Sequence, residues 1–248
     1  MDFRVIPAGD RAVTTTEWLT SRHAFSFGDH YDPSNTHFGV LLVNNDEIVA
    51  PGEGFVTHPH RESEIVTWVT SGSLVHQDSE GHAGIVYPGL AQRMSAGTGI
   101  EHSERNDRWA HRAQAGVAPV HYVQMWVMPD EPGLTPSYDQ RDIDDELSPG
   151  RLVAIASGDP ARDSAIRIAN RSATLYAARF AAGSSIDLPA ARHTHLFVTR
   201  GTLDLAGTRL DEGDAVRAGD LGGESLTART DAEVLIWSMD RDLRDLMS

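Results

Sequence analysis

The chain has 248 residues, 40% hydrophobic and 23% charged, a composition typical of a globular protein with one large domain or two small ones. Its formal net charge is −15 at pH 7, and no arginine stripe is present to neutralise phosphates, which argues against direct nucleic-acid binding. The chain has no cysteine and no lysine, which excludes thiolate ligands and Schiff-base chemistry. It also has no apolar run long enough to span a membrane and no signal-peptide pattern, so we expect a cytoplasmic protein.

Short apolar runs broken by Gly, Pro, Asn and Asp dominate the chain and predict an all-β fold with few short helices. A short helix is predicted over 15–21, where threonine can cap, and another in the acidic C-terminal segment 240–248. Strands are predicted over 38–44, 64–77, 84–88, 121–129, 151–157, 173–180, 195–206 and 232–239.

A repeat divides the chain into two halves. The segments VTSGSL (69–74) and VTRGTL (198–203) share a pattern at an offset of 129 residues between Gly72 and Gly201. Residues 130–150 are rich in Pro, Gly and acids and have no strand pattern. We therefore expect two domains, 1–133 and 150–248, joined by a linker over 134–149.

Two histidine motifs predict a metal site in the first half. His58 and His60 lie in FVTHPHRESE (55–64), and His102 and Glu104 lie in SAGTGIEHSERN (95–106). Side chains at i and i+2 of a strand leave the same face, so two such pairs on neighbouring strands would direct four ligands to one point. In a chain without thiolates, this set suits a divalent ion such as Fe, Mn, Co, Ni, Cu or Zn.

The local chemistry around the two pairs agrees with a barrel. Pro59 lacks an N–H and predicts an edge strand or a strand end. The glycines of AGTG (96–99) predict a tight turn that delivers His102 to the interior.

The sequence around these motifs resembles a known family. GEGFVTHPHRESEIVTWV (52–69) is similar to the first cupin motif, G-x5-H-x-H-x3-E. Together with FSFGDHYDP (25–33), HFGVLLVNNDEIVAPGEGF (37–55) and YPGLAQRMSAGTGIEHSERN (87–106), it resembles the pirin family of bicupins. Val56 and the pair Glu62 and Ser63 depart from the residues common in that family, and they border the mouth of the site.

The resemblance implies two tandem cupin, jelly-roll-like β-barrels with one mononuclear metal, usually iron, in the N-terminal barrel. Carried over by motif position, its ligands are His58, His60, His102 and Glu104. Glu64 occupies the position of the carboxylate ligand in many other cupins, but the resemblance favours Glu104. Glu64 is then expected to line the wall or to hold a histidine N–H.

The second half also contains an H-x-H pair, at His193 and His195. Counting by the repeat aligns His193 with Glu64 and places Asp187, Pro189, Leu226 and Ala228 at the four ligand positions. We therefore expect the C-terminal barrel to be degenerate and without metal.

The resemblance implies an iron-dependent dioxygenase of the quercetin 2,3-dioxygenase type, acting on a small aromatic substrate and O2, with Glu104 as both ligand and proton acceptor. The alternative is a non-enzymatic, iron-dependent redox-sensing protein, since the animal member of the family is known as a redox-sensitive transcription cofactor, and the charge of −15 allows a protein partner with a basic patch. A cupin isomerase is a weaker alternative. We expect a monomer, because two fused barrels supply the pairing that single cupins obtain by dimerising.

Overall fold

The computed structural model describes residues 2–110 and 112–246, and strands dominate both halves. The first half and the segment after it contain strands β1 (Phe3–Ile6), β2 (Ala12–Thr15), β3 (Leu19–His23), β4 (Leu41–Val49), β5 (Gly54–His60), β6 (Glu64–Ser71), β7 (Leu74–Asp78), β8 (Ala83–Val86), β9 (Leu90–Ser95), β10 (Ile100–Arg105), β11 (Val120–Val127) and β12 (Ser137–Asp142).

The second half contains β13 (Arg151–Ser157), β14 (Ile166–Arg167), β15 (Ala173–Phe180), β16 (Ser185–Asp187), β17 (His193–Arg200), β18 (Thr202–Leu205), β19 (Thr208–Asp211), β20 (Ala215–Ala218), β21 (Ser225–Ala228) and β22 (Ala232–Met239). Short 3-10 turns lie at Ala8–Asp10 and Asp144–Glu146, and the C-terminal helix α1 spans Leu243–Leu246. The predicted all-β class is confirmed, and no helix within 2–110 or 112–246 is long and apolar enough to cross a membrane.

The two halves repeat one topology. The order β9-β6-β11-β4-β3 in the first large sheet corresponds to β20-β17-β22-β15-β13 in the second. The small sheets correspond in the same way, β5-β10-β7-β8 with β16-β21-β18-β19. The strand-turn-strand units around Gly72 and Gly201 are equivalent, and both glycines have a positive φ, of 76° and 79°. The predicted repeat is therefore present in the structure.

Each large sheet gains an edge strand from outside its own half. β1, at the start of the chain, pairs with β20 of the second half, whereas β12 pairs with β9 of the first. The expectation that 134–149 lacks a strand is wrong, because the polar stretch Ser137–Asp142 forms a complete ladder along β9. An edge strand of this kind needs main-chain pairing rather than an alternating apolar pattern. The domain bounds themselves stay a prediction.

A shared core joins the halves. Alternate residues of β6 and β22, among them Trp68 and Trp237, point out of their own barrels into one apolar cluster. The Trp68 indole Nε1 donates to the Glu233 carboxylate at 2.9 Å, and the Trp237 indole Nε1 contacts Met125 Sδ at 3.2 Å. The opposite residues of β22, Ala232, Val234 and Ile236, belong to the apolar cluster of the C-terminal barrel. Side-chain direction in the large sheets therefore separates the interface from the barrel interiors.

The helix predicted over 15–21 is wrong. Thr16 Oγ1 does accept from the backbone N–H of Leu19 at 3.1 Å, as a cap would, but strand β3 follows this turn. Leu19, Ser21 and His23 are buried on alternate positions, a period of two that only a strand satisfies. The C-terminal helix is confirmed in its described part, whereas residues 247 and 248 lie outside the described residues.

Candidate metal centre

Three predicted ligands meet on the small sheet of the first half. His58 and His60 lie on the edge strand β5, and His102 lies opposite His58 on β10. One nitrogen from each ring lies within 4.8 Å of the others, and the Nε2 atoms of His58 and His102 are 3.1 Å apart. Pro59 lies on β5, the edge strand of the small sheet, as predicted. The outer side of this strand has no partner strand, so an N–H is not needed there.

The turn before β10 places His102. Gly97 has φ of 47°, and a Cβ there would lie 2.0 Å from the backbone oxygen of Leu134. The amide of Thr98 donates to the same oxygen at 2.8 Å, so the residues after β11 hold the turn from outside. Only glycine fits this close backbone approach without displacing Leu134.

The hydrogen bonding and burial of the three histidines leave ring nitrogens free to bind a metal ion. His58 Nδ1 lies 2.8 Å from the carbonyl oxygen of Val56, which can only accept, so Nδ1 carries a proton and Nε2 is the nitrogen that can bind a metal ion. Burial, followed by the nearby His102 and His58, lowers the pKa of His60 to about 4. Burial, followed by His58 and His76, lowers the pKa of His102 to about 3. Both rings are therefore neutral near pH 7, the state that binds metal ions.

Glu104 lies beside the three histidines, two positions after His102 on the same face of β10. Its Oε2 is 3.9 Å from His102 Nε2 and accepts a hydrogen bond from the Gln124 amide nitrogen at 2.7 Å. The Trp126 indole donates to the Gln124 amide oxygen at 2.9 Å, which fixes the direction of that amide. The Trp126 ring also stands edge-on to His60, with centroids 4.8 Å apart. Neither Trp126 nor Gln124 belongs to the predicted ligand set, yet together they hold Glu104 in place.

Glu64 faces away from this centre. It is the first residue of β6 and shares a face with Val66 and Trp68, which belong to the core between the halves. Its Oε2 accepts from Ser95 Oγ at 2.8 Å and from the amide of Ala169, in the second half, at 3.0 Å. The expectation that Glu64 holds a histidine N–H is therefore wrong, because the period of a strand directs it to the partner barrel.

The second H-x-H pair lies on the equivalent strand and faces the same interface. His193 begins β17 as Glu64 begins β6, and the fully buried His195 packs against Phe25 of the first half with centroids 5.8 Å apart. Within the described residues, neither ring nitrogen of His195 has a hydrogen-bond partner, and no metal-type cluster includes either histidine. The interior positions opposite each other on β16 and β21 are apolar, Ile186 and Leu226.

A cavity of about 380 Å³ opens beside His58. The rings of Trp18 and Phe55 form one wall and meet edge to face at 5.3 Å. Arg105 also lines it, and Val56, one of the departures from the resembling family, stands at its border with 71% of its surface exposed. The other departures, Glu62 and Ser63, lie in the turn between β5 and β6.

His76 is buried next to His102 and faces the interior. With His102 and Glu104 it forms a second group of potential ligand atoms within 4.8 Å. His23, His30, His37, His82 and His121 make hydrogen bonds elsewhere, and His111 lies outside the described residues.

These residues fit a single divalent metal ion. The donor set combines neutral imidazoles with a carboxylate, and the buried Nε2 of His60 has no hydrogen-bond partner among the described residues. A buried ring nitrogen without a partner is costly unless something binds it, and a metal ion between the three rings would do so.

Comparisons with known proteins agree with this reading of the chain. The model of the family described as Pirin matches residues 7–127, and the model described as Quercetinase C-terminal cupin domain matches residues 154–239. A protein of Mycobacterium bovis named "Putative quercetin 2,3-dioxygenase" is 57% identical over 96% of this chain and 95% of its own length. The Escherichia coli K12 protein named quercetin 2,3-dioxygenase is 36% identical over 94% of this chain and 96% of its own. The crystal structure of the bacterial pirin YhhW from Escherichia coli in complex with nickel(II) superposes with a TM-score of 0.84 at 32% identity, covering 97% of this chain and 100% of that one.

Proposed function

This chain belongs to the pirin family, with two tandem cupin domains, and we propose that it is a metal-dependent dioxygenase that opens a flavonol-like ring at His58, His60, His102 and Glu104. The observation that carries the proposal is the convergence of three imidazoles beside a cavity walled by aromatic rings. The names of the relatives point to quercetin as the first substrate to test.

We assign one divalent ion to the three histidines and Glu104, with Fe(II) as the first choice and Mn, Co, Ni, Cu and Zn as alternatives. Such an ion, when bound, acts as a Lewis acid and, if redox-active, lets O2 react with a singlet organic substrate. The nickel of the related structure belongs to that protein and shows that a pirin holds a metal of this class.

Glu104 is proposed as the proton acceptor. Its carboxylate is buried, and Gln124 holds one oxygen while Trp126 holds Gln124, so its orientation is set before substrate binds. A carboxylate oriented in this way accepts the enol proton of the substrate without reorganising. The carbonyl oxygen of Val56 holds the ring of His58, and His76 lies against the ring of His102, so these two histidines are oriented for metal binding and Glu104 is assigned the acid-base role.

The cavity beside His58 is proposed to bind the aromatic rings. Its volume of about 380 Å³ lies in the range of small-molecule sites, which are walled by apolar groups with a few polar ones. Trp18 and Phe55 offer faces and edges for a planar ring, and Arg105 offers a cation for a phenolate. Arg105 is itself held by Asp107 at 2.8 Å and by the carbonyl of Gly52 at 2.7 Å.

The test is oxygen uptake and carbon monoxide release on adding quercetin to protein reconstituted anaerobically with Fe(II). We expect turnover in the wild type and its loss in Glu104→Gln with metal still bound. Full turnover by Glu104→Gln would refute the acid-base role. Stoichiometric metal with no oxygen uptake on quercetin or on other flavonols would refute the dioxygenase and favour the interaction protein.

A further inference from the structure

A line of buried hydrogen-bonding groups leads from His102 away from the three-histidine cluster. His102 Nδ1 lies 3.4 Å from His76 Nδ1, and His76 Nε2 lies 3.3 Å from Asp78 Oδ2. The side chains of His76 and Asp78 are 1% and 0% exposed. The contact exists because β10 pairs with β7 in a register that sets His102 opposite Asp78 and Glu104 opposite His76.

The protons on this line can be placed from its two ends. Asp78 accepts from the backbone amides of Glu80 and His82 at 3.0 and 2.9 Å, and hydrogen bonds of this kind, together with those from His76 and His82, outweigh burial and lower the pKa of Asp78. An ionised carboxylate only accepts, so His76 carries its proton on Nε2 and offers the lone pair of Nδ1. At the other end, the carbonyl of Val56 leaves His58 with a lone pair on Nε2.

His102 therefore stands between two acceptor nitrogens, His58 Nε2 at 3.1 Å and His76 Nδ1 at 3.4 Å. A neutral imidazole has one N–H, which it gives to one side or the other. A metal ion among the three histidines requires the lone pair of His102 Nε2, and the proton must then be on Nδ1. Among the described residues, His76 is the group placed to accept it.

A tyrosine from the segment between the halves covers the line. The Tyr138 ring, on β12, stacks on His76 with centroids 4.7 Å apart and planes at 28°, and on His82 at 5.6 Å and 18°. Its hydroxyl donates to Gln140 Oε1 at 2.8 Å rather than to the histidines. The ring fixes the plane of His76 and shields the Asp78 contact from solvent.

We propose that His76, oriented by Asp78 and clamped by Tyr138, is the positioning residue that sets the tautomer of His102 and so tunes metal affinity at the centre. This inference rests on the metal site of the proposed function but not on the reaction. Histidine ligands commonly donate their second N–H to a carboxylate or carbonyl, and loss of that partner typically costs about 10–100-fold in metal affinity. Here a second histidine stands between the ligand and the carboxylate.

The experiment compares His76→Phe with His82→Phe in the full chain. Both histidines stack on Tyr138 and bond to Asp78, but His76 alone of the two contacts His102. Calorimetric titration with Ni(II) and with Co(II) should show about 10–100-fold weaker binding for His76→Phe and less than about 2-fold change for His82→Phe. Nitrogen NMR of 15N-histidine protein loaded with Zn(II) should show His102 protonated at Nδ1 in the wild type and in His82→Phe.

The outcomes separate the claims. Equal metal affinity of wild type and His76→Phe, or His102 protonated at Nε2 in the Zn(II) protein, would overturn the positioning role. If the wild type itself binds neither ion, the metal site fails and the positioning role with it, whereas absent dioxygenase activity leaves this result unaffected. If His76→Phe does not fold, His76→Asn, which keeps an acceptor near Nδ1, should bind Ni(II) at least about 10-fold more tightly than His76→Leu, and equal affinities would refute the role.

Discussion

Replacing Glu64 by alanine is expected to destabilise the protein without removing its metal, although Glu64 occupies the ligand position of many cupins. Its Oε2 accepts two hydrogen bonds, from Ser95 Oγ at 2.8 Å and from the Ala169 amide at 3.0 Å. The second of these ties the first half to the second. Alanine leaves both donors without this acceptor, and an unsatisfied buried donor lowers the free energy of unfolding by ~1–3 kcal/mol.

Part of that cost is offset, because burial raises the pKa of Glu64 and the variant no longer buries a carboxylate. We therefore expect a loss of about 2–4 kcal/mol in the free energy of unfolding. For a chain of this size that corresponds to a fall of roughly 5–15 °C in Tm. The matched variant, Glu104→Ala, should lower metal affinity by at least about 100-fold, since even an outer partner of a ligand is worth about 10–100-fold.

Thermal unfolding of the metal-free proteins and calorimetric titration with Ni(II) measure both quantities. Glu64→Ala should bind one ion with wild-type affinity. Loss of metal in Glu64→Ala with retention in Glu104→Ala would show that Glu64 is the ligand and would refute the assignment of strand faces. An unchanged Tm would refute the structural role of the Ala169 contact.

Three further predictions concern single residues. Burial raises the pKa of Glu47 from an ordinary 4.5 to about 7, so between these pH values the folded state binds a proton that the unfolded state has released. The stability that this proton supplies is fully present below pH 4.5 and is lost as the pH rises through 7. Denaturant unfolding should therefore show the wild type losing about 2–3 kcal/mol more than Glu47→Gln between pH 5 and pH 8, and parallel pH profiles would contradict this. His195→Phe should retain one ion per chain and raise the free energy of unfolding by about 1 kcal/mol, because it removes two buried ring nitrogens that have no partner in the described structure. Loss of the metal, measured by elemental analysis, would contradict the assignment of His195 to the interface. Gly97→Ala should lower the free energy of unfolding by roughly 2 kcal/mol or more and weaken Ni(II) binding, because the new Cβ meets the backbone oxygen of Leu134. Wild-type stability and wild-type Ni(II) affinity in this variant would refute the account of the turn.

The sequence predicts the strands that carry an apolar pattern and misses those that do not. β13, β15 and β22 match the predicted bounds, because buried strands of large sheets need apolar side chains on both faces. β12 has one aromatic side chain, Tyr138, in an otherwise polar stretch, and its pairing depends on the free edge of β9 rather than on its own residues. From its composition alone, this stretch is therefore predicted to be a linker.

The four predicted ligands could be named from two i and i+2 pairs, and the structure brings three of them together with the fourth alongside. The face of Glu64 could also have been read from the period of β6, since Val66 and Trp68 are apolar on the same side. The role of His76 could not, because it depends on the register between β7 and β10. No residue within β7 itself (Leu74–Asp78) specifies that register.

The most direct test of the account is the metal content of the purified chain after anaerobic loading with Fe(II) or Ni(II), measured for the wild type and for His102→Ala and His195→Ala. The account predicts one ion per chain in the wild type, none in His102→Ala and one in His195→Ala, with all three proteins folded. Two ions in the wild type, or one ion retained by His102→Ala and lost in His195→Ala, would contradict it.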